Sequence, residues 1–388
     1  MLSSSTDKSD HIVYCENNAS LDFKDHLRLS EEKLSTADTQ VTKGLAIITM
    51  LLLHLFCRKG ADVYGTPLLW VHEGVPLVYY IGFLSEICVP LYCMSSGYAH
   101  YMLGEQNALT GKRCWKRILS FMANYWIICT VFSLIGILVD SPDIPSSLWC
   151  YMNNMLTLKV TYNGAWWYAA AYVWIVILSP CIYRIVKKQN SLAVIFMTSM
   201  IYVISYAMER FGLWYGGNAS FILTDYLLTN LCNLLSKVIF GYVIAMVIAK
   251  ERIIERVAAR LNSLTREQFR SFRLMISVLF ALLSLVICWL EKGILMPFYA
   301  MSVFILLHTF RRASGCSIGY NLLYYLGRHS TNIWLVHMFF YLTLFEGLAQ
   351  RANYPILIFV VLLGISLGCS YIIQVFYLPV KRLINLKT

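Results

Sequence analysis

Apolar residues run in long blocks along this chain, separated by short polar stretches. The blocks fall at roughly 42–58, 77–103, 118–139, 165–186, 191–209, 222–249, 272–290, 294–310, 330–350 and 354–380. Most come near or above the ~20 residues that an α-helix needs to cross a bilayer. The pattern predicts an all-α fold, a polytopic membrane helix bundle of about ten transmembrane helices. A membrane β-barrel would instead show short segments of alternating polarity, and none dominates here. The stretch 250–273 carries Glu251, Arg252, Glu255, Arg256 and Arg260, a spacing that predicts a charged surface helix continuing from the sixth span. The stretch 140–163, with Pro142, Pro145 and Asn153-Asn154, reads as a cover for the outer mouth of the bundle. Residues 1–40 are polar, with eight acidic residues against four Lys/Arg, and lack the apolar core of a signal peptide. They read as a cytoplasmic tail, disordered or holding a short surface helix from about Asp22, ahead of a membrane domain over 41–388.

Composition sharpens this picture. The 388 residues are 58% hydrophobic and 14% charged, where a soluble domain carries about 25% charged residues. Mean hydropathy is +0.60. No soluble domain fits anywhere, so any chemistry must sit in or at the bundle. The net charge of +11 is largely a topology signal. With the N-terminus inside, the inner loops and C-terminal tail hold twenty Lys/Arg and the outer loops six. That bias predicts an even number of spans, both termini cytoplasmic and a multi-pass protein of the plasma membrane. Attraction to anionic membrane lipid accounts for some of the rest, and no nucleic acid partner is needed. The twelve cysteines contain no C-x-x-C pair, so the expectation is no metal site and no redox pair. Most lie in apolar blocks as small packing residues. Cys57 and Cys150 both fall near the outer face, where pairing between them stays open.

Candidate chemistry begins with His54, inside the first apolar block and eleven residues after Lys43. An ionisable group within a membrane is costly and marks a pathway or a reaction centre, unless it is a neutral histidine bonded between helices. At 1.5 Å per residue, His54 stands about 16 Å from Lys43, roughly mid-bilayer. Glu86 falls near the same depth, as an orienting partner for His54 or as the ion-pair partner of Lys237. Lys112, Arg113, Lys116 and Arg117 form a basic run on the inner side. They read either as plain topology or as cations for a phosphorylated ligand. Trp166, Trp167, Tyr168, Tyr172 and Trp174 gather at the predicted outer end of the fourth span, as an interfacial belt or as a stacking platform for a sugar ring. Ser330 and His337 are seven residues apart, about two turns, and share a helix face. His337 reads equally as a pocket residue or a helix–helix hydrogen bond. His308 and Asp225 are intramembrane and take no role. No Walker loop, HExxH or G-x-S-x-G motif is present.

Four segments occur in order. They are Lys43-Gly44 with His54; Val89-Pro90-Leu91-Tyr92-Cys93-Met94-Ser95-Ser96-Gly97-Tyr98; the basic run 112–117; and Leu326-Gly327-Arg328-His329-Ser330-Thr331-Asn332-Ile333-Trp334-Leu335-Val336-His337. Together they resemble the acyltransferase-3 family of integral membrane acyltransferases, over about residues 40–380. Lys43 stands where many members have Arg, and Tyr92-Cys93 and Trp334 replace aromatic residues of the pattern. The resemblance implies transfer of an acyl group, commonly acetyl from acetyl-CoA or another acyl-CoA donor, to a hydroxyl of a glycan, lipid-linked glycan or related envelope molecule. It implies His54 as the catalytic residue, acting as general base or as an acyl carrier. It implies Lys43, Arg113 and Arg117 as contacts to the donor's phosphates. Candidate substrate contacts are Glu86, Ser96, Trp167, Ser330 and His337. The competing class is a multi-pass transporter of a solute or protons, with His54 and Glu86 on its pathway. A third is a non-catalytic scaffold. Oligomeric state is not legible.

Overall fold

The computed structural model describes residues 33–59, 63–72, 74–213, 222–314 and 318–387. The expected surface helix near Asp22 lies outside them. The first described helix, α1 (Thr36–Phe56), starts at Thr36 rather than at 42. The reason is a capping box. The Ser35 hydroxyl accepts from the Asp38 amide at 3.2 Å, and the Asp38 carboxylate accepts from the Ser35 amide at 2.8 Å. Asp38 is buried and pairs with Arg311, so the helix start is also tied to the bundle.

A short antiparallel hairpin, β1 (Trp70–His72) and β2 (Val75–Pro76), leads into α2 (Leu77–Leu84). After one 3₁₀ turn, Ser85–Ile87, the span continues as α3 (Cys88–Glu105). Next come α4 (Gly111–Leu138), a short α5 (Leu148–Met155), α6 (Trp167–Lys188) and α7 (Ser191–Arg210). The helix α8 (Ile222–Asn233) passes through a π turn, Leu234–Val238, into α9 (Ile239–Lys250). The chain then turns at Arg252, φ +51°, so α10 (Ile253–Asn262) is a separate helix rather than a continuation. Its Ile254, Ala258 and Leu261 are buried against the bundle. The helices α11 (Arg266–Leu290), α12 (Met296–Ser314), α13 (Ile318–Val336) and α14 (Pro355–Lys387) complete the fold.

Among the described residues, nine helices are long and apolar enough to cross a membrane. Nine of the ten expected spans coincide with them. The ninth does not: instead of 330–350, the chain forms α13 over 318–336 and leaves helix at His337. Its polar residues hid it from hydropathy. His329, Ser330 and Asn332 are buried against protein, where Asn332 donates to Ser370 and accepts from Asn124 at 2.6 Å. Protein rather than lipid solvates that face.

The helix α13 packs along α1, and α3 along α9, in the most extensive helix contacts of the fold. Two motif glycines make the first possible. A Cβ on Gly44 would lie 1.8 Å from the Leu323 carbonyl oxygen, and one on Gly327 would lie 1.9 Å from that of Gln40. Backbones this close require glycine. Gly97 serves the second contact, where a Cβ would meet the Tyr242 carbonyl at 2.1 Å. Residues 140–163 pack on α4, with Tyr125 and Trp126 donating to the carbonyls of Asn154 and Met155. None of them lines the cavity at the centre of the bundle. Cys57 and Cys150 are both free.

Candidate active site

A cavity of about 730 Å³ runs up the middle of the bundle. On α1 its lining extends from Thr36 to His54, a rise of about 27 Å at 1.5 Å per residue. That is close to the ~30 Å thickness of a bilayer's hydrocarbon core.

One end is polar and cationic. It holds Gln40, Lys43, Ser96 and Arg117. Lys43 forms no hydrogen bond or ion pair with any described residue, and it lines the same cavity as Arg117. Arg117 is held from behind: its guanidinium donates to Nε2 of His100. Nδ1 of His100 lies 2.6 Å from the Tyr242 hydroxyl. A guanidinium only donates, so Nε2 accepts and Nδ1 carries the hydrogen. His100 is 1% exposed. The chain Tyr242–His100–Arg117 therefore fixes a cation at the cavity wall. Arg113 is not part of this wall. It is exposed, and its guanidinium donates to the Ala108 carbonyl at 3.3 Å, closing the turn before α4.

His54 lines the cavity toward the other end, two residues before α1 stops at Phe56. Because α1 begins at Thr36, His54 lies nearer the far end of its helix than the mid-depth expected from the apolar block. Its imidazole makes no hydrogen bond to a described residue. The side chain beside it is His337, with ring centroids 5.0 Å apart and planes inclined at 53°. Glu86 lines the same cavity from the 3₁₀ turn before α3, but neither bonds to His54 nor pairs with Lys237. Its carboxylate lies over Gly293, 3.1 Å from where a Cβ would stand.

The end beyond His54 carries charges of both signs: Glu86, Glu209, Arg210 and Lys237. Lys237 projects from the π turn of Leu234–Val238, a type of helix defect that recurs at functional sites. It pairs with Glu209 at 2.8 Å and sits 5.3 Å from the Trp167 ring centroid. The aromatic group at the head of α6 is divided between the core and the cavity wall. Trp166 is fully buried, donating to the Leu335 carbonyl at 2.9 Å, while Trp167, Tyr168 and Tyr172 form an aromatic wall of the cavity.

Of the expected site residues, Lys43, His54, Glu86, Ser96, Arg117 and Trp167 are brought together around one cavity. His337 stands behind His54. Ser330 is buried within α13 and donates to the Gly327 carbonyl at 2.8 Å. The reading from sequence missed His100 and the pairing of Lys237 with Glu209. His100 carried the same signal as His54, an ionisable residue inside an apolar span. The two lie in different helices. Among the described residues no group of His, Cys, Asp or Glu is arranged to hold a metal ion.

A family model described as an acyltransferase domain matches residues 38–375. No curated protein and no solved structure matches the chain. The family match spans every residue that lines the cavity except Thr36, and the molecule is a multi-pass membrane protein. The chain belongs to the acyltransferase-3 family and is an acyltransferase.

Proposed function

We propose that this enzyme moves an acyl group, acetyl being the simplest, from a CoA thioester on the cytoplasmic side to a hydroxyl of an envelope glycan or lipid-linked glycan on the other. The observation that carries this reading is one cavity, cationic at one end and mixed in charge at the other, with His54 on its wall between them. Positive-inside topology puts the Lys43 end in the cytoplasm. Counting α13 as a tenth crossing, both termini are cytoplasmic, in the plasma membrane. Lys43 and Arg117 then face the compartment that supplies acyl-CoA, and they suit its phosphates. The acyl-pantetheine arm follows the cavity toward His54.

In the reaction His54 acts as general base. It takes the proton of the acceptor hydroxyl as the oxygen attacks the thioester carbonyl. The C–S bond breaks, and the sulfur leaves with the proton that His54 returns. The products are an ester and free CoA thiol. Glu86 and Trp167, with Lys237, contact the acceptor. This arrangement keeps the charged part of CoA at the cationic end. Each phosphate carried into the bilayer core would cost several kcal/mol. Only the neutral acyl group crosses.

The test uses proteoliposomes with the Lys43 face inward. Labelled acetyl-CoA enclosed inside should label envelope glycan supplied outside, and external acetyl-CoA should label nothing. Product formed only when both substrates share the Lys43 side would refute passage of the acyl group while leaving acyl transfer itself standing.

A further inference from the structure

The acyl-transfer reading gives His54 a proton to take but no group to hold its ring, and the structure offers one. His337 opens the 3₁₀ turn that ends α13, and it is fully buried. Its Nδ1 lies 2.7 Å from the Trp334 carbonyl oxygen. A carbonyl only accepts, so Nδ1 carries the hydrogen and Nε2 is left as an acceptor. That Nε2 is buried with no hydrogen-bond partner. An orphaned buried acceptor is costly and calls for a reason. The rings against His337 are Tyr341, stacked at 6.0 Å, and His54, nearer at 5.0 Å and itself without a hydrogen bond to a described residue. With each ring nitrogen about 1.1 Å from its centroid, nitrogens turned toward each other across 5.0 Å would stand ~2.8 Å apart, a hydrogen-bond length.

The end of α13 that carries His337 is firmly held. Asn163 and the Trp166 indole both donate to the Leu335 carbonyl at 2.9 Å. The Trp334 indole donates to the Ala165 carbonyl at 3.1 Å. These bonds join α13 to the loop before α6, so the His337 ring sits on a rigid support.

We propose that His337 is the positioning residue for His54: its buried Nε2 accepts the ring hydrogen of His54 and holds the imidazole with its other nitrogen turned to the cavity. This inference rests on the proposed role of His54 as base. That base needs one fixed tautomer, and His337 supplies it as a neutral acceptor. His337 neither touches substrate nor takes the reacting proton, which His54 accepts on its free nitrogen and returns to sulfur.

Two substitutions separate this role from simple packing. His337→Asn keeps a donor where Nδ1 stands, and so the bond to Trp334, but removes the acceptor. His337→Gln places an amide oxygen near Nε2 and keeps the acceptor. Both are purified in detergent beside the unaltered protein and His54→Ala. Two readouts are taken: transfer kinetics with acetyl-CoA, and the rate at which diethyl pyrocarbonate modifies His54, followed by peptide mass spectrometry. The second needs no substrate. His337→Asn should lower kcat by about 10–10²-fold with KM for acetyl-CoA unchanged, and should slow modification of His54. His337→Gln should restore most of both. Equal His54 modification rates in all three proteins would overturn the proposal, as would Gln being no better than Asn. Failure of the underlying reading would look different: His54→Ala would retain transfer, whatever the His337 variants did.

Discussion

Gly44→Ala tests whether the glycine beside Lys43 is there for the helix contact alone. The new Cβ would stand 1.8 Å from the Leu323 carbonyl oxygen, with the Leu323 carbonyl carbon at 2.6 Å. Ordinary contact begins at 3.4 Å, so α1 and α13 must separate by about 1.6 Å at this level. The obstructing atoms are backbone, so no rotamer change relieves them. Overpacking of this kind costs about 1–3 kcal/mol. The helix preference for alanine returns at most about 1 kcal/mol. The larger consequence is for the site. One helix carries Lys43 and His54 and the other leads to His337, and a misplacement of about 1 Å can cost 10²-fold in rate. Gly44→Ala should therefore lower both the apparent Tm in detergent and kcat. Gly364→Ala on α14 is the control, because a Cβ there meets nothing within 4 Å. The assays are thermal unfolding of purified protein and initial rates of acetyl transfer. If Gly44→Ala matched Gly364→Ala in both, the close-approach argument would be refuted.

His54→Ala should reduce transfer by about 10²–10⁴-fold while the protein still inserts and folds, and retained transfer in a well-folded variant would remove His54 from the mechanism. Arg117→Ala should raise KM for acetyl-CoA more than it lowers kcat, and His100→Ala should do the same more weakly by releasing the Arg117 guanidinium. Arg113→Ala should leave that KM unchanged, since its guanidinium is spent on the Ala108 carbonyl outside the cavity; an equal rise in both arginine variants would point to a diffuse field of the loop instead. Lys237→Ala should change KM for a glycan acceptor and not for acetyl-CoA, and the reverse pattern would exchange the two ends of the cavity.

Hydropathy makes most of this fold legible because lipid acts as a uniform solvent. A helix that meets lipid must be apolar along a whole face, and the nine apolar helices announce themselves in that way. The helix α13 does not, because α4 and α14 cover its polar face with hydrogen-bonding partners. The apolar run that suggested a span over 330–350 in fact straddles the end of α13 and the turn after it. A similar limit governs the site. Lys43 and His54 share one helix, so their spacing survives into three dimensions. Depth alone admits Glu86 equally as a partner for His54 and for Lys237.

Depth is one coordinate, and a pairing needs the other two. Those come from which helices touch, and here glycines decide that. Gly44 and Gly327 admit α13 against α1, and this brings His337 against His54 although 283 positions separate them in the chain. Gly97 admits α9 against α3, where Tyr242 reaches His100 and so braces Arg117. Each of these glycines thus sits at a helix contact beside the candidate site. The motifs pair small residues with ionisable ones because the small residue sets the backbone approach that lets the ionisable one find its partner. A search for catalytic groups in such a chain should therefore follow the glycines: the helix that each one admits carries the next residue of the site.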